Sequence, residues 1–283
     1  MALKLMYITN GPEIAQIAES AGVDRIFVDM EYIGKSDRQG GMDTVQSHHT
    51  IEDVAVIRNA ITTADLLVRV NPIHNETENY CSSKEEIDAV IKNGADILML
   101  PYFKSVDEVR EFVKIVDGRA RTLPLLETVE AVDCIDEILD IDGIDEIFIG
   151  LNDLSLGYQK KFMFELLSDG TVEYLCNKFK KKGIPYGFGG IASLGKGMLP
   201  SEYVIKEHYR LGSNCSILSR SFCNIDMIKH FGVISSTFVN GIREIRELEK
   251  ECERYMNYFT ENKNEVARIV KSICESGFFR CCL

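Results

Sequence analysis

Eight short apolar runs alternating with amphipathic helical stretches are the feature that most restricts what this chain can become. The runs are residues 3–9 (LKLMYIT), 25–31 (RIFVDME), 66–70 (LLVRV), 97–103 (ILMLPYF), a leucine-rich segment ending at Glu127, IFIG before Asp153, 184–190 (IPYGFGG) and 215–220 (CSILSR). Between them apolar residues recur at spacings of three and four, as in Ile14, Ile17, Ala18 and Ala21, or Val106, Val109, Val113 and Val116. Runs of that length read as strands and that period reads as one face of a helix. Thr50 with Asp53, Ser83 with Glu86 and Ser105 with Glu108 have the spacing of helix-opening capping pairs, and Gly22, Gly94, Gly118, Gly183 and Gly212 stop helices. Such alternation demands a parallel sheet covered by helices. An open doubly wound sheet is the alternative, but a count of eight favours a closed (β/α)8 TIM barrel.

The barrel core is expected over residues 1–224 and a helical extension over 225–283. In the extension Ile242, Ile245, Leu248, Cys252, Tyr255 and Phe259, then Val266, Ile269, Val270 and Ile273, make an apolar stripe. It either packs on its own barrel or is exchanged with a neighbouring subunit, which would make the protein a homo-oligomer. A net charge of -12 without a long basic run argues against nucleic acid or an anionic membrane as partner. No apolar stretch reaches the roughly 18 residues that a membrane span needs, and MALKLMYITN is a poor signal peptide, so a cytoplasmic location is expected. The nine cysteines are scattered without a CxxC, which suggests reduced thiols, and the FFRCCL tail with Cys281 and Cys282 does not fit a prenylation signal.

In barrels of this kind the chemistry sits at the C-terminal ends of the strands. Glu127 and Asp153 each follow a strand of one strand-helix-strand unit, so they fall on the same side of the sheet. With neighbouring strands about 4.8 Å apart, two such carboxylates suit one hard cation, Mg²⁺ or Mn²⁺. Arg69 stands in an otherwise apolar strand, where it either grips a substrate carboxylate or pairs with Glu31 or Asp29. After strand seven, Gly189, Gly190 and Lys196, with Arg220 after strand eight, form either a phosphate site or a substrate-lining loop. The loop 32–49 is long enough to be a functional lid, with Lys35 and Arg38 as candidate grips on an anion or as solvated charges.

VDRIFVDME, LLVRVNP, GADILMLPYFKSVDEVREFV, LLETVEA and IFIGLNDLS, in this order, resemble the HpcH/HpaI aldolase and citrate lyase family over roughly residues 12–157. The resemblance implies a (β/α)8 barrel and a divalent-metal-dependent carbon–carbon lyase acting on a 2-oxo acid or acyl substrate through a metal-stabilised enolate. It makes Glu127 and Asp153 the metal ligands, Arg69 the substrate-oxygen contact, and the backbone at Gly150, Leu151 and Asn152 the seat of a substrate carboxylate. It also implies exchange of C-terminal helices between subunits. One position departs from the family: the aldolase branch carries a histidine after the strand-two glutamate, and here Tyr32 stands there. A phenol with pKa near 10 is a poor base at neutral pH. The proton-transfer candidates are therefore Tyr32 and a loop histidine, His49 or its neighbour His48, folded over the mouth. The alternative is a barrel that binds a metabolite or partner without catalysis, having lost its base.

Overall fold

The computed structural model describes residues 2–35, 47–228 and 230–276. Arg38 and the other residues of 36–46, and Cys281 and Cys282, lie outside these ranges. Eight parallel strands close into a barrel in sequence order, β1 (Lys4–Ile8), β2 (Arg25–Asp29), β3 (Asp65–Arg69), β4 (Ile97–Leu100), β5 (Arg121–Leu126), β6 (Ile147–Ile149), β7 (Tyr186–Ile191) and β8 (Cys215–Leu218), with β8 pairing back on β1. The expected (β/α)8 barrel is therefore the fold. Met6, Phe27, Leu67, Ile97, Met99, Leu123, Leu125 and Phe148 fill its interior, while the larger core lies between the strands and the surrounding helices.

The covering helices include α1 (Pro12–Ser20), α2 (Ile51–Ala60), α3 (Ser83–Lys92), α4 (Val106–Val116), α5 (Val129–Asp133), α6 (Ile135–Ile138), α7 (Leu151–Gly157), α8 (Glu165–Ser168), α9 (Thr171–Lys182) and α10 (Ser201–Leu211). Thr50 and Asp53 cap α2 reciprocally, and Ser105 and Glu108 cap α4, as expected. At α3 the box is one residue earlier than its spacing suggests. Ser82 and Glu85 form it, because the Ser83 hydroxyl is taken by His74 and the Glu86 carboxylate turns inward to Asn71. Gly183 and Gly212 close α9 and α10 in the left-handed conformation that glycine adopts without strain.

In the C-terminal part, α11 (Phe231–Arg254) takes the place of the eighth barrel helix, against α1 and α10. α12 (Phe259–Ser276) then folds back over α8 and α10. Ile242, Ile245, Cys252, Val266 and Val270 are the buried members of the stripe. All seven cysteines among the described residues are free thiols, with Cys176, Cys215, Cys223 and Cys252 buried. Among the described residues no helix is long and apolar enough to cross a membrane.

Candidate active site

Strand register assembles the first half of the barrel mouth. β2 and β3 pair so that Asp29 stands beside Arg69, and the guanidinium grips both carboxylate oxygens, from Nε and Nη2, at 2.8 Å each. Arg69 Nη1 lies 3.3 Å from Glu31, and Lys35 Nζ lies 2.7 Å from Asp29 and 3.6 Å from Glu31. Burial opposes ionisation of Asp29, but Arg69 and then Lys35 outweigh it and hold the carboxyl well below its usual range. Arg69 is likewise raised, burial being outweighed by Asp29 and Glu31, and its charge sits over the Phe27 ring at 5.6 Å. Lys35 is thus a buried member of the mouth, and its place there as a solvated loop charge is corrected. Its neighbours Asp29 and Glu31 repay the desolvation.

The second half is built by β5 and β6. Leu126 pairs with Ile149, which brings Glu127 next to Gly150. A Cβ at position 150 would lie 2.7 Å from Glu127 Oε2 and 2.8 Å from its Cβ, so only glycine leaves room for this carboxylate. Its other oxygen, Oε1, accepts the Tyr102 N–H at 2.9 Å. Tyr102 has φ +48°, a conformation that costs a non-glycine residue free energy and here directs its N–H to Glu127. Asp153 is buried in the first turn of α7, after Gly150 at the N-cap. In that turn Leu151 and Asn152 carry amides for which a helix supplies no internal acceptor. Burial pushes Glu127 well up, Asp153 and Glu31 push it further, and Arg69 and the Tyr102 amide only partly compensate. Glu127 and Asp153 line one cavity of about 520 Å³ together with Tyr102, Lys104 and Thr128.

Between these halves and β1 lies the segment that returns from the strand-two loop. Asn71 Oδ1 accepts the N–H groups of Tyr32 and Ile33 at 2.8 and 2.9 Å, and Asn71 is itself held by the buried Glu86. The Tyr32 hydroxyl donates to the His49 carbonyl, and burial, followed by Asp29 and Asp53, raises its pKa. His49 is buried, and its Nδ1 accepts the Asp29 N–H at 3.0 Å. With Nδ1 accepting that N–H, the ring carries its proton on Nε2, and burial lowers the His49 pKa despite nearby Asp29 and Asp53. His49 and Arg220 line a second cavity, of about 350 Å³, over β1 and β8. Lys196, in contrast, is exposed on the loop after β7 and lines neither cavity.

The family model for HpcH/HpaI aldolase/citrate lyase matches residues 4–174, more than half of the chain. The chain belongs to this family. The 2-keto-3-deoxy-L-rhamnonate aldolase of Escherichia coli O1:K1 / APEC is 29% identical over 178 residues, covering 51% of this chain and 58% of that protein. This chain therefore spans less than two thirds of that relative's length. Among solved structures, an HpcH/HpaI aldolase from Desulfitobacterium hafniense DCB-2 superposes with a TM-score of 0.57 at 17% identity, covering 87% of this chain and 93% of that one. A HpcH/Hpal aldolase/citrate lyase family protein from Burkholderia cenocepacia J2315 gives 0.61 at 14% identity, with 87% and 95% covered. At these identities the likeness is one of fold.

For an HpcH/HpaI barrel the question is whether the mouth suits a cation. Among the described residues no group of three or more histidine, cysteine or acidic side chains has metal-binding geometry. Two carboxylates do suit Mg²⁺ or Mn²⁺, ions that keep several waters and substrate oxygens, and the raised Glu127 is a carboxylate short of positive charge. Tyr102 and the Asn71–Glu86 pair are members of the mouth with no mark in the sequence, whereas Lys35 is one of the two candidate grips its loop offers. Lys35 comes from a polar loop, and the other contacts depend on backbone geometry.

Proposed function

We propose that this chain is a divalent-metal-dependent carbon–carbon lyase that makes or breaks the bond beside a 2-oxo acid through its enolate. The observation that carries the proposal is Glu127, a buried carboxylate pushed up by burial and by Asp153 and Glu31 where it and Asp153 line one cavity. Glu127 and Asp153 would hold Mg²⁺ or Mn²⁺, which when bound supplies Lewis acidity to the oxo-acid oxygens and to the enolate. Arg69 is locked in place by its two bonds to Asp29 and directs its remaining edge, beside Glu31, to the oxo-acid. The first-turn amides at Leu151 and Asn152 suit the substrate carboxylate. Tyr32, whose phenol is raised and already donates to the His49 carbonyl, acts by seating that histidine. Exposed Phe231, Val233 and Val239 along α11 support association into a homo-oligomer.

Pyruvate release from 4-hydroxy-2-oxo acids, assayed before and after chelator treatment and with Mn²⁺ binding followed by electron paramagnetic resonance, tests this. Release is expected to stop on chelation and return with Mg²⁺ or Mn²⁺, and Glu127→Gln is expected to abolish saturable Mn²⁺ binding. Undiminished release in chelator, or unchanged Mn²⁺ affinity in Glu127→Gln, overturns the assignment. The committed hydroxyl of Tyr32 favours a second reading, a metabolite-binding barrel without turnover. Saturable binding of pyruvate with metal but no product from any 4-hydroxy-2-oxo acid selects it.

A further inference from the structure

We infer that His74 is a pH-sensitive staple of the loop between β3 and α3: as an imidazolium it holds both ends of the loop, and on losing a proton it releases one of them. This device does not rest on the lyase reading. His74 is half-buried, and both of its ring nitrogens face backbone carbonyls. Nδ1 is 2.7 Å from the Pro72 oxygen and Nε2 is 2.8 Å from the Cys81 oxygen. A carbonyl only accepts and a neutral imidazole carries a single N–H, so the two contacts together require the doubly protonated ring.

The neutral ring has a different arrangement at hand. Ser83 Oγ accepts the His74 backbone N–H at 2.8 Å, lies 3.0 Å from Nδ1 and has its own proton to give. When Nδ1 loses its proton to solvent, the Ser83 hydroxyl donates to the new lone pair and Nε2–H keeps the Cys81 carbonyl. The Pro72 carbonyl then faces a lone pair at hydrogen-bond distance and is repelled. One end of the loop is released while the other stays tied. Two discrete hydrogen-bond patterns on one ring make the switch, and a proton is the only species exchanged.

The surroundings carry the change toward the barrel mouth. After burial, the groups that push the Cys81 thiol up are Glu86, Glu85 and Glu76, so the carbonyl that Nε2 meets lies among acids. Burial raises Glu86, and Asn71 and then His74 pull it back only in part. The loop itself brings Tyr80, edge-on to the His74 ring at 6.5 Å, and the strand-two segment brings Tyr32, which feels Tyr80 and stacks with His48. Phenols and thiols titrate above the neutral range, which leaves Glu86 and His48 as the competitors of His74 there. Asn71, next to Pro72, gives its N–H and Nδ2–H to Glu86 at 3.2 and 2.9 Å and accepts the Tyr32 and Ile33 amides. Loss of the His74 charge therefore frees Pro72, takes a cation from Glu86, and loosens the hold of Asn71 on those two amides.

Long-range proton–nitrogen NMR correlation on the full chain reads both ring nitrogens, and amide hydrogen exchange, corrected for the intrinsic rate at each pH, reads the loop. Between about pH 6 and about pH 8, His74 is expected to pass from the doubly protonated ring to the tautomer with its proton on Nε2. The Thr77, Ser83, Tyr32 and Ile33 amides bond to Tyr80, His74 and Asn71 oxygens. Their protection is expected to fall about 10-fold over the same range, the worth of one hydrogen bond to a charged group. His74→Gln, whose side chain does not titrate, is expected to flatten that fall. Glu86→Gln, which keeps an acceptor for Asn71, and His48→Gln are expected to retain it. Ser83→Ala, which takes the hydroxyl from the neutral ring, is expected to move it to higher pH. Protection independent of pH in the native chain, a neutral ring with its proton on Nδ1, the same fall in His74→Gln, or an unmoved fall in Ser83→Ala overturns the inference. A fall that Glu86→Gln or His48→Gln abolishes belongs to that group and overturns it equally.

Discussion

The two ends of the barrel each bury a cluster of charges, and the clusters are built on opposite principles. At the N-terminal end Arg25, with no exposed surface, meets Glu146 through two bonds of 2.9 and 2.6 Å. Asp65 lies 3.8 Å from Arg25 and 2.5 Å from Arg121, and Arg121 and Lys4 approach Glu146 at 3.7 and 3.9 Å. Every acid there faces a cation. At the C-terminal end Asp29 is matched in the same way by Arg69 and Lys35, but Glu127 has other carboxylates among its strongest influences. Balanced charge at the base holds strands together. Crowded negative charge at the mouth is a state that a ligand would relieve.

Removing one carboxylate from each end should therefore have opposite signs, and this is the largest expected effect. Glu146→Gln leaves the fully buried Arg25 without its bidentate partner and is expected to cost about 3–5 kcal/mol in urea denaturation. Glu127→Gln is expected to stabilise the metal-free protein by roughly 1–2 kcal/mol at neutral pH, since it removes a buried charge that its neighbours repel. If both variants lose stability equally, the contrast between the two ends is wrong.

The same contrast should appear in the pH dependence. Glu127 has its folded pKa above its ordinary value of 4.5, so its contribution is complete below that pH and is lost as pH rises through the raised value. Asp29 is depressed below 3.8, so its contribution is complete above that pH and is lost as pH falls. In chelator, urea midpoints of the native protein should fall as pH rises from about 4.5 towards neutrality. Saturating Mg²⁺ should flatten that slope, and so should Glu127→Gln. A slope unchanged by either would remove Glu127 as its source.

Gly150→Ala sharpens the comparison from the side of packing. The new methyl would crowd Glu127 Oε2 at 2.7 Å and the Leu125 side chain at 3.2 Å, so the carboxylate must move. A cost of about 1–3 kcal/mol is expected from overpacking, with Mn²⁺ affinity lowered about 10-fold or more. Unchanged Mn²⁺ affinity in the folded variant would show that the cradle does not set the carboxylate's place.

How much of this was legible in the sequence follows the range of each interaction. The strands and most helix ends depend on local period along the chain, and the proximity of Glu127 to Asp153 depends on the topology of one strand-helix-strand unit, residues 125–157. The base cluster joins Arg25, Asp65 and Arg121, which open β2, β3 and β5, with Glu146 just before β6, and no local pattern marks charges that meet only when the barrel closes. Ser82 displaced Ser83 as the cap of α3 because His74, nine residues before Ser83, competes for the second hydroxyl. The tautomer of His49 turned on which ring nitrogen meets the Asp29 amide, a matter of orientation that residue type leaves open.

The smallest expected effect belongs to the lysine of the base cluster, and the lysine of the mouth is its counterpart. Lys4 has a side chain 42% exposed and reaches Glu146 only at 3.9 Å, so solvent screens the pair and Lys4→Met should change stability by less than about 0.5 kcal/mol. Lys35 is 6% exposed and 2.7 Å from Asp29, so Lys35→Met should cost about 1–3 kcal/mol even though Arg69 still grips that carboxylate. It should also weaken pyruvate binding, because Arg69 must then answer Asp29 and Glu31 alone and has less charge to direct at an oxo-acid. Urea denaturation and pyruvate titration of the two variants separate these outcomes. A Lys35→Met protein with native stability and native pyruvate affinity would mean that the mouth holds its acids with Arg69 only, and that its likeness to the balanced base ends there.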